Sequence, residues 1–151
     1  MKKVTIYTDG SSINNPGPSG YCALLEYKAP NGEIFYTQIS GGEMYSTNGR
    51  MELKALIEGL KLLTEACDVT IVSDSKYICD SVMRYLPNWQ TKGFKDVKHT
   101  DLWCEYLHIA KDHNVTMQWV KAHNGHPQNE HCDKVARANA RYCEEQNMKQ
   151  K

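Results

Sequence analysis

The chain opens on alternation. In KKVTIYTD, Val4, Ile6 and Thr8 alternate with Thr5, Tyr7 and Asp9, the two-residue period of a half-buried strand. SSINNPGPSG clusters Asn, Pro and Gly and predicts a tight loop. A second strand is expected from Tyr21 to Lys28, a turn at APNG, and a third strand from Glu33 to Ser40. Such short connections favour an antiparallel meander. The period then changes: Met51, Ala55, Gly59, Leu62, Leu63 and Ala66 follow helical spacing, with Thr47 or Asn48 placed to cap the start. DVTIVSD is short, β-branched and mostly apolar, which suits a buried parallel strand. SKYICDSVMRYL predicts a helix stopped by Pro87, followed by an irregular basic and aromatic segment, PNWQTKGFKDVKHT. Leu102, Tyr106, Leu107 and Ala110 mark another helix, VTMQWVKAH a last strand, and Pro127 the first turn of a final helix. A meander followed by alternating helices and strands implies an α/β fold: a mixed sheet with helices on its faces.

Length and composition narrow this picture. With 151 residues the chain is expected to form a single domain over residues 1–145, followed by a polar tail over 146–151. Lys+Arg and Asp+Glu both number 18, so nucleic-acid binding must come from local patches rather than global charge. No apolar run is long enough to span a bilayer, and MKKVTIYTDG lacks the apolar stretch of a signal peptide. The six cysteines form no CxxC pair and read as reduced thiols, which points to the cytoplasm.

Candidate chemistry begins with acids at strand ends. Asp9 ends the first strand and Asp74 the fourth, where open α/β sheets collect ligands; either alone also suits a turn or helix cap. Glu52 lies one turn into a helix, where an acid also favours the helix dipole. The segment HNGHPQNEHCD, residues 123–133, has the composition of a zinc site. Helix geometry opposes that reading, because His131 and Cys132 point about 100° apart. His126, before Pro127, is expected to help cap the last helix, and His131 to be solvated.

The stretches IYTDGSSINNPGPSGY, NGRMELKALIEGL, IVSDSKYI, DLW and VKAHNGHPQNEHCDKVARANA resemble, in order and over nearly the whole chain, the type 1 ribonuclease H family, its bacterial members most of all. The resemblance implies a ribonuclease H-like five-stranded mixed sheet, first three strands antiparallel, with helices on both faces. It implies an endonuclease that hydrolyses the RNA strand of RNA–DNA hybrids, leaving 5′-phosphate and 3′-hydroxyl ends. The family's metal-binding carboxylates fall on Asp9, Glu52, Asp74 and Asp133. Two Mg²⁺ ions ~4 Å apart are the expected cofactor, with Mn²⁺ as a substitute ion; hard carboxylate oxygens suit both. Asp9 is expected to bridge the ions, Asp133 to hold the one that activates water, and Glu52 and Asp74 the one facing the leaving oxygen. His123 matches the family's loop histidine, which moves protons or aids product release.

The resemblance also implies substrate contacts. Ser12 and Asn15 match positions that meet the RNA strand; Thr47 and Asn48 match positions that meet the DNA strand at a helix start. Tyr77, Tyr85 and Trp89 match aromatic positions near DNA sugars, and Lys92 and Lys95 belong to a basic protrusion in which Trp89 and Phe94 interleave with lysines. Several positions depart from the pattern. Gln90 and Thr91 stand where lysines are common, His99 where an Asn often meets phosphate, and Tyr45 where an Arg often does. Gly49 and Lys76 replace a common Asn and Gln. The expected partner is the hybrid duplex, with no membrane, and the expected state is a monomer. Two other readings stand beside this one: a non-catalytic hybrid-binding module, and a nuclease of the same fold with another substrate.

Overall fold

A computed structural model describes residues 1–122 and 125–149. Five strands form one sheet: β1 (Lys2–Ser12), β2 (Gly17–Lys28), β3 (Ile34–Ser46), β4 (Cys67–Ser73) and β5 (Asn114–Trp119). Their order is β3-β2-β1-β4-β5. The β1–β2 and β2–β3 pairs are antiparallel, and the β1–β4 and β4–β5 pairs parallel. This is the predicted mixed sheet. The hairpin strands run further than the alternation indicated, because β1 and β2 stay paired as far as Ser12 and Ser19, and β3 continues to Ser46.

Helix α1 (Asn48–Lys61) covers one face. Leu53, Leu56, Ile57 and Leu60 lie fully buried in one cluster with Val4, Ile6, Ala23 and Leu25 of the sheet; each such side chain contributes roughly 1.5–3 kcal/mol. Helix α4 (Thr100–Ala110) packs beside α1 and inserts Trp103, fully buried, into the same core. Helix α5 (Pro127–Lys149) covers the other face. Side chains of a strand alternate between faces. Thus Ala23 meets α1 at Gly59, while Gly20 meets α5 at Ala136 and Ala140. The α5 contact is made of small residues: Cys132, Ala136, Ala140 and Cys143 on the helix, Gly20, Cys22 and Gly42 on the sheet. A Cβ on Gly20 would stand 2.1 Å from the Ala136 carbonyl oxygen, so the helix lies on bare backbone. The segment expected as a tail from residue 146 is helical through Lys149.

Pro87 does not stop the helix that precedes it. Helix α2 (Lys76–Asp80) widens into a π-helical turn (Ser81–Tyr85), in which the Leu86 N–H reaches back to Ser81 O. Helix α3 (Leu86–Thr91) then begins with Pro87 in its first turn. There the missing N–H costs no intrahelical bond, so the first part of the supposedly irregular segment is helical. Trp89 and Phe94 are half-buried and pack against the core.

Candidate metal centre and nucleic-acid face

Strand register brings the acids together. Tyr7 of β1 pairs with Val72 of the parallel strand β4. Asp9 lies two residues further along β1, and Asp74 is the first residue past the end of β4, so the parallel register delivers both to the same end of the sheet. Glu52 arrives from α1. Its approach depends on Gly10, where a Cβ would sit 2.5 Å from Glu52 N and 2.7 Å from Met51 C. Any side chain at position 10 would push the first turn of α1 away from β1. As a result, carboxylate oxygens of Asp9, Glu52 and Asp74 lie within 4.8 Å of one another.

Like charges gathered in a dry place resist ionisation. Burial, reinforced by Asp74, Glu52 and Asp133, pushes the Asp9 carboxyl up to about 8 against the hydrogen bond it accepts from Gly10 N at 2.9 Å. Burial, with Asp74 adding to it, pushes Glu52 up to about 7, while a hydrogen bond from the Ser75 hydroxyl opposes the rise. Ser75 is a residue the sequence reading missed. It N-caps α2 through Ile78 N as well as touching Glu52, and its signal was the SDS that follows β4. Trp119, half exposed, was also missed; its indole N–H donates to the Asp74 carbonyl at 3.1 Å and fixes that turn.

Asp133, on α5, lines one small cavity with Asp9 and Asp74. The cavity measures about 20 Å³, and Lys121, His126, Asn129 and Glu130 also line it. The Asp133 carboxylate accepts a hydrogen bond from Arg137, one helical turn on. His126 starts α5 as expected: its carbonyl accepts the Glu130 N–H at 2.9 Å. His123 lies outside the described residues. The neighbours His131 and Cys132 part company, as helix geometry required. Cys132 is buried with Sγ against Tyr7 O, whereas His131 is exposed and bonded to Gln38 of β3 rather than solvated alone.

The donor set fits a hard divalent cation. Three carboxylates converge in a mostly buried pocket, and burial and mutual repulsion raise two of them; a cation would oppose both effects. Oxygen donors less than 5 Å apart need only modest contraction to meet one ion at ~2.1 Å.

The expected nucleic-acid positions are spread over the end of β1 and the loop after it, the start of α1, and the segment from α2 to the start of α4. Asn15 and Asn48 are joined directly, Asn48 N donating to Asn15 Oδ1 at 3.0 Å. Thr47 caps α1, its hydroxyl accepting from Arg50 N at 3.2 Å. Ser12 donates to Ser46 O and accepts from Ser19. Tyr77 and Tyr85 are more than a third exposed, and Trp89 connects them through buried Trp103: centroids are 5.9 Å for Tyr85–Trp89, 5.7 Å for Trp89–Trp103 and 6.3 Å for Tyr77–Trp103. Lys92 and Lys95 are exposed. Two of the departures are packed together: a Cβ on Gly49 would lie 3.3 Å from His99 Nε2, so glycine leaves the space that the imidazole takes. Burial, with Arg50 nearby, lowers the His99 imidazole below its usual value.

Comparison with known proteins puts this geometry in context. The RNase H family model matches residues 1–141. A ribonuclease HI of Helicobacter pylori is 48% identical over 140 residues, covering 93% of this chain and 94% of that protein. The crystal structure of LC9-RNase H1, described as a type 1 RNase H with the type 2 active-site motif, superposes with a TM-score of 0.84 at 31% identity, covering 93% of this chain and 72% of that one. A foamy viral protease-reverse transcriptase solved with an RNA/DNA hybrid superposes with a TM-score of 0.71 at 25% identity, over 92% of this chain and 20% of that one.

Proposed function

The chain belongs to the RNase H family, and from that membership we propose that it is a divalent-cation-dependent endonuclease that hydrolyses the RNA strand of RNA–DNA hybrids. The observation that carries the reading is the cluster of Asp9, Glu52 and Asp74, whose oxygens converge within 4.8 Å, with Asp133 on the same cavity. Bound divalent cations, two Mg²⁺ in this reading and Mn²⁺ as a substitute, would neutralise charge on the attacking water, the phosphate and the leaving oxygen. Asp9, Glu52, Asp74 and Asp133 would hold the cations. Gly10 and Trp119 keep Asp9, Glu52 and Asp74 in place, and Ser75 stabilises ionised Glu52. In-line attack of water expels the 3′ oxygen, giving 5′-phosphate and 3′-hydroxyl ends. His123 serves as proton carrier or release aid in this scheme.

In this reading Ser12 and Asn15 meet the RNA strand, where a 2′-hydroxyl is available to be read. Thr47, Asn48, Tyr77, Tyr85, Trp89, Lys92 and Lys95 meet the DNA strand. The viral relative solved on an RNA/DNA hybrid supports that choice of duplex. Six free cysteines suit a reducing compartment, the cytoplasm.

The test is cleavage of labelled hybrid, duplex RNA and duplex DNA, each with and without Mg²⁺, with product ends mapped. RNA-strand cleavage of the hybrid alone is expected. Equal cutting of all three duplexes would sink the substrate assignment. Hybrid binding without cleavage under any metal would favour the non-catalytic module, a role that four acids beside phosphate make unfavourable.

A further inference from the structure

Asp133 differs from the other three acids. Asp9, Glu52 and Asp74 have oxygens within 4.8 Å of one another, and Asp133 is outside that group although it lines the same cavity. Its carboxylate is turned to Arg137, which donates from Nη2 to Asp133 Oδ2. The two side chains are 22% and 49% exposed. An acid four residues before a base on a helix is the favourable order, and a pair this open to solvent contributes only a weak attraction. The contact thus has two properties at once. It gives Asp133 a partner other than the repelling cluster, and it is easily exchanged for a stronger one.

We propose that Arg137 is a positioning residue for Asp133: it holds the carboxylate apart from the acidic cluster until a divalent cation binds, then gives it up to the ion. The proposal rests on the metal-centre reading above. It makes the Arg137 pair a competitor of the cation for one ligand. It also places a guanidinium charge beside a site that gathers positive charge. Both effects weaken cation binding, so the sign of the expected change is fixed.

The test is calorimetric titration of Mg²⁺ alone into wild type, Arg137→Gln, Arg137→Lys and Asp9→Asn, without nucleic acid. Arg137→Gln should bind Mg²⁺ about 2–5 times more tightly, the factor that an exposed ion pair is worth. Arg137→Lys, which keeps the pair, should stay near wild type. In wild type, the side-chain ¹⁵N resonances of Arg137 should shift along the same Mg²⁺ saturation curve as the guanidinium loses its partner. Unchanged or weakened Mg²⁺ binding in Arg137→Gln would overturn the proposal. A merely structural pair leaves the dissociation constant alone, and a pair that presents Asp133 to the ion would weaken binding when removed. Asp9→Asn separates the two levels. Retained Mg²⁺ affinity there overturns the metal-centre reading itself, whereas lost affinity there with an unaffected Arg137→Gln overturns only the role of Arg137.

Discussion

Replacing Asp9 with Asn should stabilise the metal-free protein. Asp9 is 7% exposed, and its carboxyl is raised from 3.8 to about 8, by burial first and by Asp74 next. Its folded-state value therefore lies above its unfolded value. Between those two pH values the folded chain binds more protons than the unfolded one, so stability falls as pH rises. Each pH unit in that window costs ~1.4 kcal/mol, so keeping Asp9 protonated in the folded chain costs up to about 4 kcal/mol at pH 7. Asn keeps the oxygen that accepts from Gly10 N but removes the charge. Its amide is still buried, so we expect roughly half that gain, about 2 kcal/mol, or a rise in Tm of about 4–8 °C for a domain of this size. The assay is differential scanning calorimetry of both proteins in EDTA from pH 4 to pH 8. The difference should be near zero at pH 4 and largest at pH 8. It should narrow when Mg²⁺ is added, because the cation stabilises only the protein that binds it. A variant that melts at or below wild type at pH 8 in EDTA, or a difference independent of pH, would refute the electrostatic account of the site.

Further consequences concern the same residues. Because protons compete for Asp9 and Glu52, Mg²⁺ affinity should rise between pH 6 and pH 8, with proton release visible as a buffer-dependent calorimetric heat; a flat affinity would contradict the raised carboxyl values. Gly10→Ala places a methyl against the backbone of Met51 and Glu52; it should cost about 1–3 kcal/mol of stability and lower cleavage by roughly 10²-fold, read from urea melts and single-turnover rates. With 18 acidic and 18 basic residues, hybrid binding should weaken only gently with salt; a log K against log salt slope as steep as that of a strongly basic relative would contradict this.

The elements that sequence made legible are those with a clear period. Alternation marked β1, helical spacing marked α1, and the β-branched run marked β4. Strand register then carries Asp9 and Asp74 to the same end of the sheet, a consequence of pairing that no local pattern contains. The glycines were harder to read. Gly20 fell in the stretch read as a loop and Gly10 drew no reading, yet each is the bare backbone on which a helix rests, and that close approach exists only once α1 and α5 have docked. Pro87 misled because proline ends a regular helix; a π turn just before it let the chain continue helically. Trp89 and Phe94, which the sequence interleaves with lysines, are half-buried and also anchor the protrusion to the core, a packing role that composition did not reveal. Ser75 and Trp119 escaped notice because each acts through a neighbour, one on the Glu52 carboxylate and one on the Asp74 carbonyl.

The central claim is that four carboxylates around a cation cut one strand of a hybrid. A single-turnover experiment on a hybrid labelled differently on its RNA and DNA strands addresses it most directly, run with Mg²⁺ or EDTA on wild type and Asp9→Asn. Wild type should cut the RNA strand only, and only with Mg²⁺; Asp9→Asn should bind the hybrid and leave both strands whole. Cleavage that survives EDTA, reaches the DNA strand, or persists in Asp9→Asn would contradict the account.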